Sequence, residues 1–416
     1  MFNSKKFTNY RSQIITYFLA FLTIFITIAI IQYPKDTFDS AILGLNLWWN
    51  VVFPSLLPFF ILSEILMGLG VVHALGVLLE PLMRPIFNVP GIGAFALSMG
   101  LASGYPMDAV ITCKFRKNNL CSKVEAERLL AFTNTADPLF MFGAVAVGMF
   151  AMPELGASIA LAHYTASLLV GILYRFHGRH RDVIESNPIK TSSKNIFLRA
   201  FTELYQARKE NKSSFGILLG DAVKASMNTI LLIGGFIILF SVCLRILSVI
   251  GITDYLDSIF AWMLSFIGFN TNLAQSLSIG FFEIDLGTLA ASQAVAPLSE
   301  KIAVVSAIIA WSGLSVHGQV ASIVLETGIS MTPYIIARFI HATLSAVLAL
   351  LFLGPCKSIA NLFTLPVTGD IGSINSWVYW LSRTEQTLYQ IFLILLIMLT
   401  ISLTFHLAKK IIFATK

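Results

Sequence analysis

Two acidic residues, Glu283 and Asp285, lie within an otherwise apolar stretch of the chain, 272–297. Each arm of this stretch has about ten residues, so each arm would reach about 15 Å as a helix, half of the ~30 Å hydrocarbon core of a bilayer. A single spanning helix would leave both carboxyl groups at mid-depth, which is costly. We therefore predict a re-entrant helical hairpin whose tip carries the acids in a protein-lined cavity, where they could carry a proton, hold a cation or contact a substrate.

Polar residues also interrupt three other apolar segments. The stretch 91–116 is a second candidate hairpin, and two candidate spans are broken, near 134–138 and near 312–319. Breaking a helix exposes backbone amides at one half-helix, which attract anions, and carbonyls at the other, which coordinate cations. The candidate ligands at the first tip and the two breaks are Ser103, Gly104, Tyr105, Asn134, Thr135, Asp137, Ser312, Ser315, His317 and Gln319.

The two acids of the second tip also have a structural explanation. A carboxylate just before a helix accepts backbone N–H groups of its first turn, so Glu283 could cap the second arm of the hairpin. For Asp285, a functional role and capping of the helix from Leu286 onward are equally good explanations. We favour function for Glu283, because an acid at membrane depth is a functional candidate by default.

The residues of the two breaks leave similar alternatives open. Asp137 precedes Pro138, which is a good signal for restarting a helix, so Asp137 could be a cap or a ligand. Restarting a helix does not explain Asn134, which is therefore the better candidate ligand. His317 could titrate near neutral pH and couple proton movement, or it could be a neutral, hydrogen-bonded side chain.

The composition indicates that membrane helices position these residues. The chain is 56% hydrophobic and 12% charged, whereas a soluble domain carries about twice that share of charge. The net charge of +6 is no signal of a nucleic-acid partner, because cytoplasmic loops of membrane proteins collect Lys and Arg. Neither a metal-ligand set nor an intramembrane nucleophile–base pair is present in the pattern, so we predict no metal, no cofactor and no enzyme.

Hydropathy divides the chain into spans and shorter segments. We predict eight spans, at 13–33, 48–69, 125–150, 155–175, 217–250, 302–325, 333–353 and 388–408. Two shorter segments, 74–88 and 254–268, are better suited to lying in the membrane interface. A short polar stretch joins the first two spans, and the basic stretch 176–214 is the only long hydrophilic loop.

The two halves share the same order of elements: span, interfacial segment, hairpin, broken span, span. The motif L-S-x-G at 97–100 recurs at 277–280, and H-x-T-x-S at 163–167 recurs at 341–345. We expect the two matched histidines to make packing or scaffold contacts. Each half crosses the membrane an odd number of times, so the second half is inverted relative to the first. Paired hairpins and broken spans are typical of a transporter with a substrate site near the midplane.

This organisation divides the chain into 1–46, an N-terminal transmembrane helix and loop; 47–176, the first repeat; 177–216, a basic cytoplasmic linker; 217–354, the second, inverted repeat; and 355–416, a surface segment and C-terminal transmembrane helix. With both termini cytoplasmic, most of the 28 Lys and Arg residues, Arg338 included, fall on the cytoplasmic side. None is expected at a tip or break. The repeat alignment places Glu283 and Asp285 over Ser103 and Tyr105, so only the second tip carries charge.

Four motifs give the chain a resemblance to a known family. They are W-W-N-V-V-F-P-S-L-L-P-F-F-I at 48–61, G-L-A-S-G-Y-P at 100–106, E-A-E-R-L-L-A-F-T-N-T-A-D-P-L-F at 125–140 and W-S-G-L-S-V-H-G-Q-V-A-S at 311–322. With them the chain resembles the sporulation integral membrane protein family of endospore-forming bacteria. That family belongs with nucleoside-recognition, or gate, domain proteins and is similar in plan to concentrative nucleoside transporters.

The resemblance implies a transporter that passes dipicolinic acid from the mother cell across the outer forespore membrane. Dipicolinate is a small aromatic dianion, so Tyr105, Phe281 or Phe282 could stack on its ring. Glu283 would repel it unless protonated or cation-bound, so we expect Glu283 to carry a coupling proton or sodium ion. The partners are then this substrate, the ion and the lipid bilayer, and a homo-oligomer is left open. A nucleoside–cation symporter and a non-transporting membrane scaffold for sporulation proteins remain alternatives.

Overall fold

Helices make up all the regular structure in the part of the chain that the computed structural model describes, residues 4–178, 196–211, 213–356, 392 and 395–404. The α-helices are α1 Ser4–Gln32, α2 Pro34–Leu47, α3 Phe53–Gly68, α4 Val71–Phe87, α5 Gly93–Ser103, α6 Met107–Lys117, α7 Lys123–Thr133, α8 Leu155–Tyr174, α9 Ile196–Glu210, α10 Phe215–Val249, α11 Ile252–Phe266, α12 Ala274–Phe282, α13 Ile284–Gln293, α14 Leu298–Trp311, α15 Gly313–Val324 and α16 Met331–Leu353. Two π-helical segments, Trp48–Val52 and Leu139–Met149, two 3-10 helices, Thr271–Leu273 and Leu325–Thr327, and a C-terminal helix, Leu395–Thr404, are also present among the described residues.

Several of these helices are long and apolar enough to cross a membrane. Four spans qualify alone, namely α8, α10, α16 and the rod Leu298–Thr327 that α14 and α15 form together. Two bent helix pairs raise the number to six if each pair is one span. This confirms a polytopic integral membrane protein. About half of the predicted last span, 388–408, lies outside the described residues, and so do nearly all of its preceding surface segment and much of the basic loop, 179–195. Eight crossings therefore stay a prediction.

Both predicted hairpins are helix–turn–helix units. The first consists of α5 and α6, which residues 104–106 join, and the second consists of α12 and α13, which meet at Glu283. Each hairpin follows a helix that corresponds to a predicted interfacial segment, α4 or α11. Helix α4 lies at 84° to the end of α3, and the placement of α4 and α11 in the membrane interface stays a prediction.

The structure differs from the predicted elements in three places. The expected polar stretch before Trp48 is helix α2, which Pro34 starts as its first residue. Helix α9 lies within the predicted linker and packs on α4. The second break is narrower than 312–319: only the junction of Ser312 (φ 68°) and Gly313 (φ 72°) leaves the helical conformation.

The rod of α14 and α15 relates the two hairpins to each other. At one end of the rod, Lys117 at the close of α6 pairs with Glu326 (Nζ–Oε2 2.7 Å). At the other end, Glu300 Oε2 accepts the backbone N–H of Asn270, just before α12, at 2.6 Å. A helical rod of 30 residues is about 45 Å long. The hairpins therefore open at opposite ends of the rod, and their tips point toward its middle.

Candidate functional site

Each hairpin tip lies against the break of its own half. A Cβ atom on Gly104 in the first tip would lie 2.8 Å from Asp137 Oδ2. In the second half, a Cβ atom on Gly313 would lie 2.8 Å from the Phe282 carbonyl oxygen. Both glycines also have positive φ, 74° and 72°, which disfavours any residue with a Cβ atom. These two contacts bring the predicted tips and breaks together.

The first tip also reaches the second half. The Tyr105 hydroxyl donates to the Ile309 carbonyl oxygen at 2.8 Å, on the last turn of α14. On the opposite side of that turn, Trp311 Nε1 donates to the Phe281 carbonyl at 3.0 Å. The end of α14 is thus held between the two tips, and the four predicted elements form one interior site.

The two acids of the second tip have different positions at the start of α13. Glu283 is buried and its Oε2 accepts the Leu286 N–H at 2.8 Å, so Glu283 caps α13. Asp285 lies inside the first turn of α13, and the alternative that Asp285 caps this helix is wrong. The Glu283 and Asp285 carboxyl groups interact with each other, and Asp137 lies within electrostatic reach of Asp285.

Asp137 has the structural role that the sequence left open. Its Oδ1 accepts the Phe140 N–H at 2.9 Å, which caps the helical segment after the first break. Gly104 in the first tip lies close to Asp137, and Asp285 in the second tip is within electrostatic reach of it. Asp137 therefore combines a capping bond with a position between the two hairpins.

Asn134 is part of a buried network that the sequence did not reveal. Its Nδ2 donates to Asp108 Oδ1 at 2.7 Å, and its Oδ1 accepts the Tyr334 hydroxyl at 3.1 Å. Asp108 also accepts the Thr133 hydroxyl at 3.1 Å. All four residues are almost fully buried. Both the amide nitrogen and the amide oxygen of Asn134, a predicted ligand, are thus hydrogen-bonded in this conformation.

The expectation that only the second tip carries charge is wrong. Asp108 is the second residue of α6, and Asp285 is the second residue of α13, so each hairpin has an acid at the same place in its second arm. Pairing the acids with Ser103 and Tyr105 was the error of the repeat alignment. The M-D and I-D pairs at 107–108 and 284–285 were the signal that could have shown it.

The expectation that no basic residue lies at a tip or break is also wrong. Arg338 of α16 has no exposed surface, so it does not belong to the cytoplasmic face. Its guanidinium donates to the carbonyl oxygens of Ala131, at 2.5 Å, and Asn134, at the first break. A lone arginine within the apolar span 333–353 was the available signal, because such residues face the protein interior.

Aromatic rings connect the second tip to α16. Phe282 meets Phe281 edge-on (centroids 5.3 Å apart), and Phe281 stacks on Trp311 at 5.6 Å. His317 follows, 4.3 Å from Trp311 and 5.2 Å from the Tyr334 ring. His317 Nδ1 lies 2.7 Å from the Gly313 carbonyl oxygen, while its buried Nε2 has no hydrogen-bond partner among the described residues.

The other predicted ligands are buried hydroxyl and amide groups. Ser103 has no partner for its Oγ among the described residues. Thr135 makes a long bond to the Thr133 carbonyl (3.4 Å), and Ser312 donates to Trp311 O at 2.5 Å. Ser315 and Gln319 lie one turn apart on α15 and contact each other at 3.5 Å. Within the described part of the chain, neither the Ser315 nor the Gln319 side chain is hydrogen-bonded to a tip.

The matched histidines hold the scaffold around the first break, as expected. His341 Nε2 lies 2.8 Å from the His163 carbonyl oxygen, which ties α16 to α8. His163 Nε2 accepts the backbone N–H of Ala136 at 3.0 Å. A backbone N–H can only donate, so His163 Nε2 carries no proton. The described residues contain no group of three or more His, Cys, Asp or Glu side chains suited to a metal.

Comparison with known proteins places the chain in a family. A family model described as "Gate: Nucleoside recognition" matches residues 49–167, which include the first hairpin and the first break. The sporulation integral membrane protein YlbJ of Bacillus subtilis (strain 168) is 46% identical over 346 residues, 83% of this chain and 84% of the relative. No solved structure matches. At this identity and coverage, the chain belongs to the family of the sporulation integral membrane protein YlbJ.

Proposed function

We propose that this protein is a secondary transporter that moves a small carboxylate across a membrane, built from two inverted repeats. One observation carries the proposal: two hairpin tips and two helix breaks meet in one buried polar centre. The hairpins open at opposite ends of the same rod, as two inverted halves require. Transporters of this construction bind substrate where such elements meet, and the gate-domain match over 49–167 supports the same class.

The substrate we propose is dipicolinic acid, passed from the mother cell across the outer forespore membrane. The name of the related protein supports a role in sporulation, and the resemblance in motifs supplies the substrate. The aromatic ring of this substrate suits a centre that contains the Tyr105 ring and the paired Phe281 and Phe282 rings. Both termini then face the mother-cell cytoplasm.

Proton coupling through the second tip is the mechanism we propose. Two carboxyl groups in contact away from water repel each other when both are ionised, so the pair favours holding a proton. Glu283, which is buried, and the half-buried Asp285 form such a pair through their electrostatic interaction, with Asp137 and His317 as secondary coupling residues. Protonation of the pair would remove the repulsion of an entering dianion.

A nucleoside–cation symporter is the second candidate, because the matching family model is described as nucleoside recognition. The buried amide and hydroxyl groups of Asn134, Ser312 and Gln319 suit the neutral polar groups of a nucleoside. Uptake of labelled uridine and labelled dipicolinate into the same proteoliposomes would separate the two candidates.

The variant Glu283→Gln tests the proposal. Its amide oxygen can still accept the Leu286 N–H, so the cap survives while the titratable group is lost. We expect uptake driven by a pH gradient to fall at least tenfold, and spores of the variant to lack dipicolinic acid. Glu300→Gln is the matched control, because Glu300 caps the open end of the hairpin away from the centre.

Two outcomes would contradict the site assignment. Normal dipicolinic acid content at normal protein level in Glu283→Gln spores would favour the non-transporting scaffold. Normal content in Asn134→Ala spores would remove the first break from the substrate site.

A further inference from the structure

The carboxyl-terminal end of α7 is the place in the first half where helix carbonyls turn toward the interior of the site. The last four carbonyls of a helix have no partner within it, and the helix dipole makes this end negative. In transporters with broken helices, such ends coordinate the coupling cation. The carbonyls at the first break of this chain therefore need other hydrogen-bond donors or a cation.

Arg338 satisfies two of the carbonyls at the first break. One guanidinium nitrogen, Nη2, donates to the Ala131 carbonyl oxygen at 2.5 Å, and Nη1 donates to the Asn134 carbonyl oxygen. These two oxygens lie on either side of the end of α7 at Thr133. Arginine remains protonated under all conditions a protein meets, so the positive charge is permanent.

Side chains of α8 and of the break itself occupy neighbouring carbonyls. The Phe132 oxygen accepts Ser167 Oγ at 2.5 Å and the Ala136 oxygen accepts the Tyr164 hydroxyl at 3.1 Å. The Thr133 oxygen accepts the Thr135 hydroxyl at 3.4 Å. Five of the carbonyl oxygens between 131 and 136 are therefore bonded to protein groups.

The charge of this arrangement is also balanced within the protein. Asp108 has no exposed surface. Asn134 is hydrogen-bonded to both Asp108 and Arg338, so it links the two opposite charges. A metal cation could bind these carbonyl oxygens only by displacing the guanidinium, and the positive charge of the guanidinium would repel it. Among the described residues, neither Glu283 nor Asp285 forms a salt bridge with a basic side chain.

We propose that the Arg338 guanidinium is the resident cation of the first break, in the place where a sodium-coupled transporter of this construction would bind Na⁺. It acts as a positioning residue that holds the break in its extended conformation without a metal. The inference rests on the proposed transport function and deepens it, because it assigns coupling to the acids of the second tip and makes the protein sodium-independent.

Thermal unfolding of the purified full-length protein tests this without any substrate. Wild type, Arg338→Ala and Arg338→Lys are compared in choline chloride and in NaCl of equal ionic strength, and in choline chloride with added methylguanidinium at non-denaturing concentration. Arg128→Ala is the matched control, because Arg128 is an equally buried arginine that donates to the carbonyls of Asn88 and His177, outside the break.

We expect the Tm of the wild type and of Arg338→Lys to be the same in choline and in sodium. Arg338→Ala should have a lower Tm that rises by several degrees, saturably, with Na⁺ or methylguanidinium, since a ligand that binds only the folded state stabilises it. The Tm of Arg128→Ala should not respond to Na⁺.

A saturable, Na⁺-specific rise in the Tm of the wild type would overturn the inference. So would an Arg338→Ala variant whose Tm responds to neither cation, because the guanidinium would then be a structural bond alone. A protein that behaves as expected here but moves no dipicolinate or uridine would refute the proposed function and leave the resident cation intact.

Discussion

At the scale of single residues, one hydroxyl group connects the two halves of the site. The Tyr334 hydroxyl donates to Asn134 Oδ1 at 3.1 Å, and the Tyr334 ring meets the His317 ring edge-on, with centroids 5.2 Å apart. Asn134 belongs to the first break, and His317 follows the second. The tyrosine therefore couples the conformations of two breaks that are far apart in the chain.

Tyr334→Phe removes this hydroxyl and keeps the ring. We expect the free energy of unfolding to fall by about 1–2 kcal/mol, because a buried acceptor on Asn134 loses its donor. Thermal unfolding in detergent and proteoliposome uptake measure stability and transport separately. We expect uptake to fall severalfold as well, because α16 is no longer hydrogen-bonded to Asn134 at the first break.

Tyr164→Phe is the control for this prediction. The Tyr164 hydroxyl donates to Ala136 O at 3.1 Å, within the first half alone. A similar loss of stability with unchanged uptake is expected. Equal loss of uptake in both variants would show that Tyr334 has no special coupling role.

At the scale of elements, the two breaks have different backbones. The first is an extended segment after α7, with Asn134 at φ −73° and ψ 96°, and the second is two left-handed residues between α14 and α15. An extended break projects several carbonyls and side chains sideways. A left-handed junction keeps the rod continuous and leaves room for the second tip.

Gly313→Ala tests the second break. Left-handed backbone costs a residue with a Cβ atom about 1–2 kcal/mol, and here the new methyl group would also lie 2.8 Å from the Phe282 carbonyl. We expect a clearly lower Tm and loss of uptake, because the second tip must shift.

Gly235→Ala is the matched control. Gly235 lies in the middle of α10, and a Cβ atom there meets nothing within 4 Å. Alanine has a higher helix propensity than glycine by about 1 kcal/mol, so unchanged or raised Tm is expected. A Gly313→Ala protein as stable and active as this control would mean that tip and break are not in contact.

At the scale of the whole molecule, the rod of α14 and α15 sets the hairpins in opposite directions. Lys117 and Glu326 mark one end of the rod, and Asn270 and Glu300 mark the other. The two halves of the chain form this arrangement without being exactly symmetric. It lets each tip approach the centre from its own side.

Cysteine labelling tests this arrangement in the membrane. Asn118→Cys and Thr271→Cys, both at exposed positions beside the open ends of the hairpins, are introduced after replacement of the four native cysteines. We expect a membrane-impermeant maleimide to label Asn118→Cys from the cytoplasmic side only and Thr271→Cys from the opposite side only. Labelling of both from the same side would refute the inverted repeats.

The sequence alone was sufficient for the features that depend on local pattern. Hydropathy predicted a polytopic membrane protein, and polar residues with Gly and Pro located both hairpins and both breaks, because helix formation and interruption are decided within a few residues. The narrow second break and helix α2 were missed, since a polar residue can remain helical when its side chain is buried among partners, as Ser315 and Gln319 are.

Only the tertiary structure decided how the polar groups of the site are paired. Tyr334 is 200 residues from Asn134 in the chain and Arg338 is 204 residues from it, and the pairing depends on the packing of α16 against the first break. In the tertiary structure, Arg338 lies at the centre of the site and not on the predicted cytoplasmic face. Each hairpin also has an acid in its second arm. A buried charge must find its partner in space, and no local pattern encodes where that partner will be.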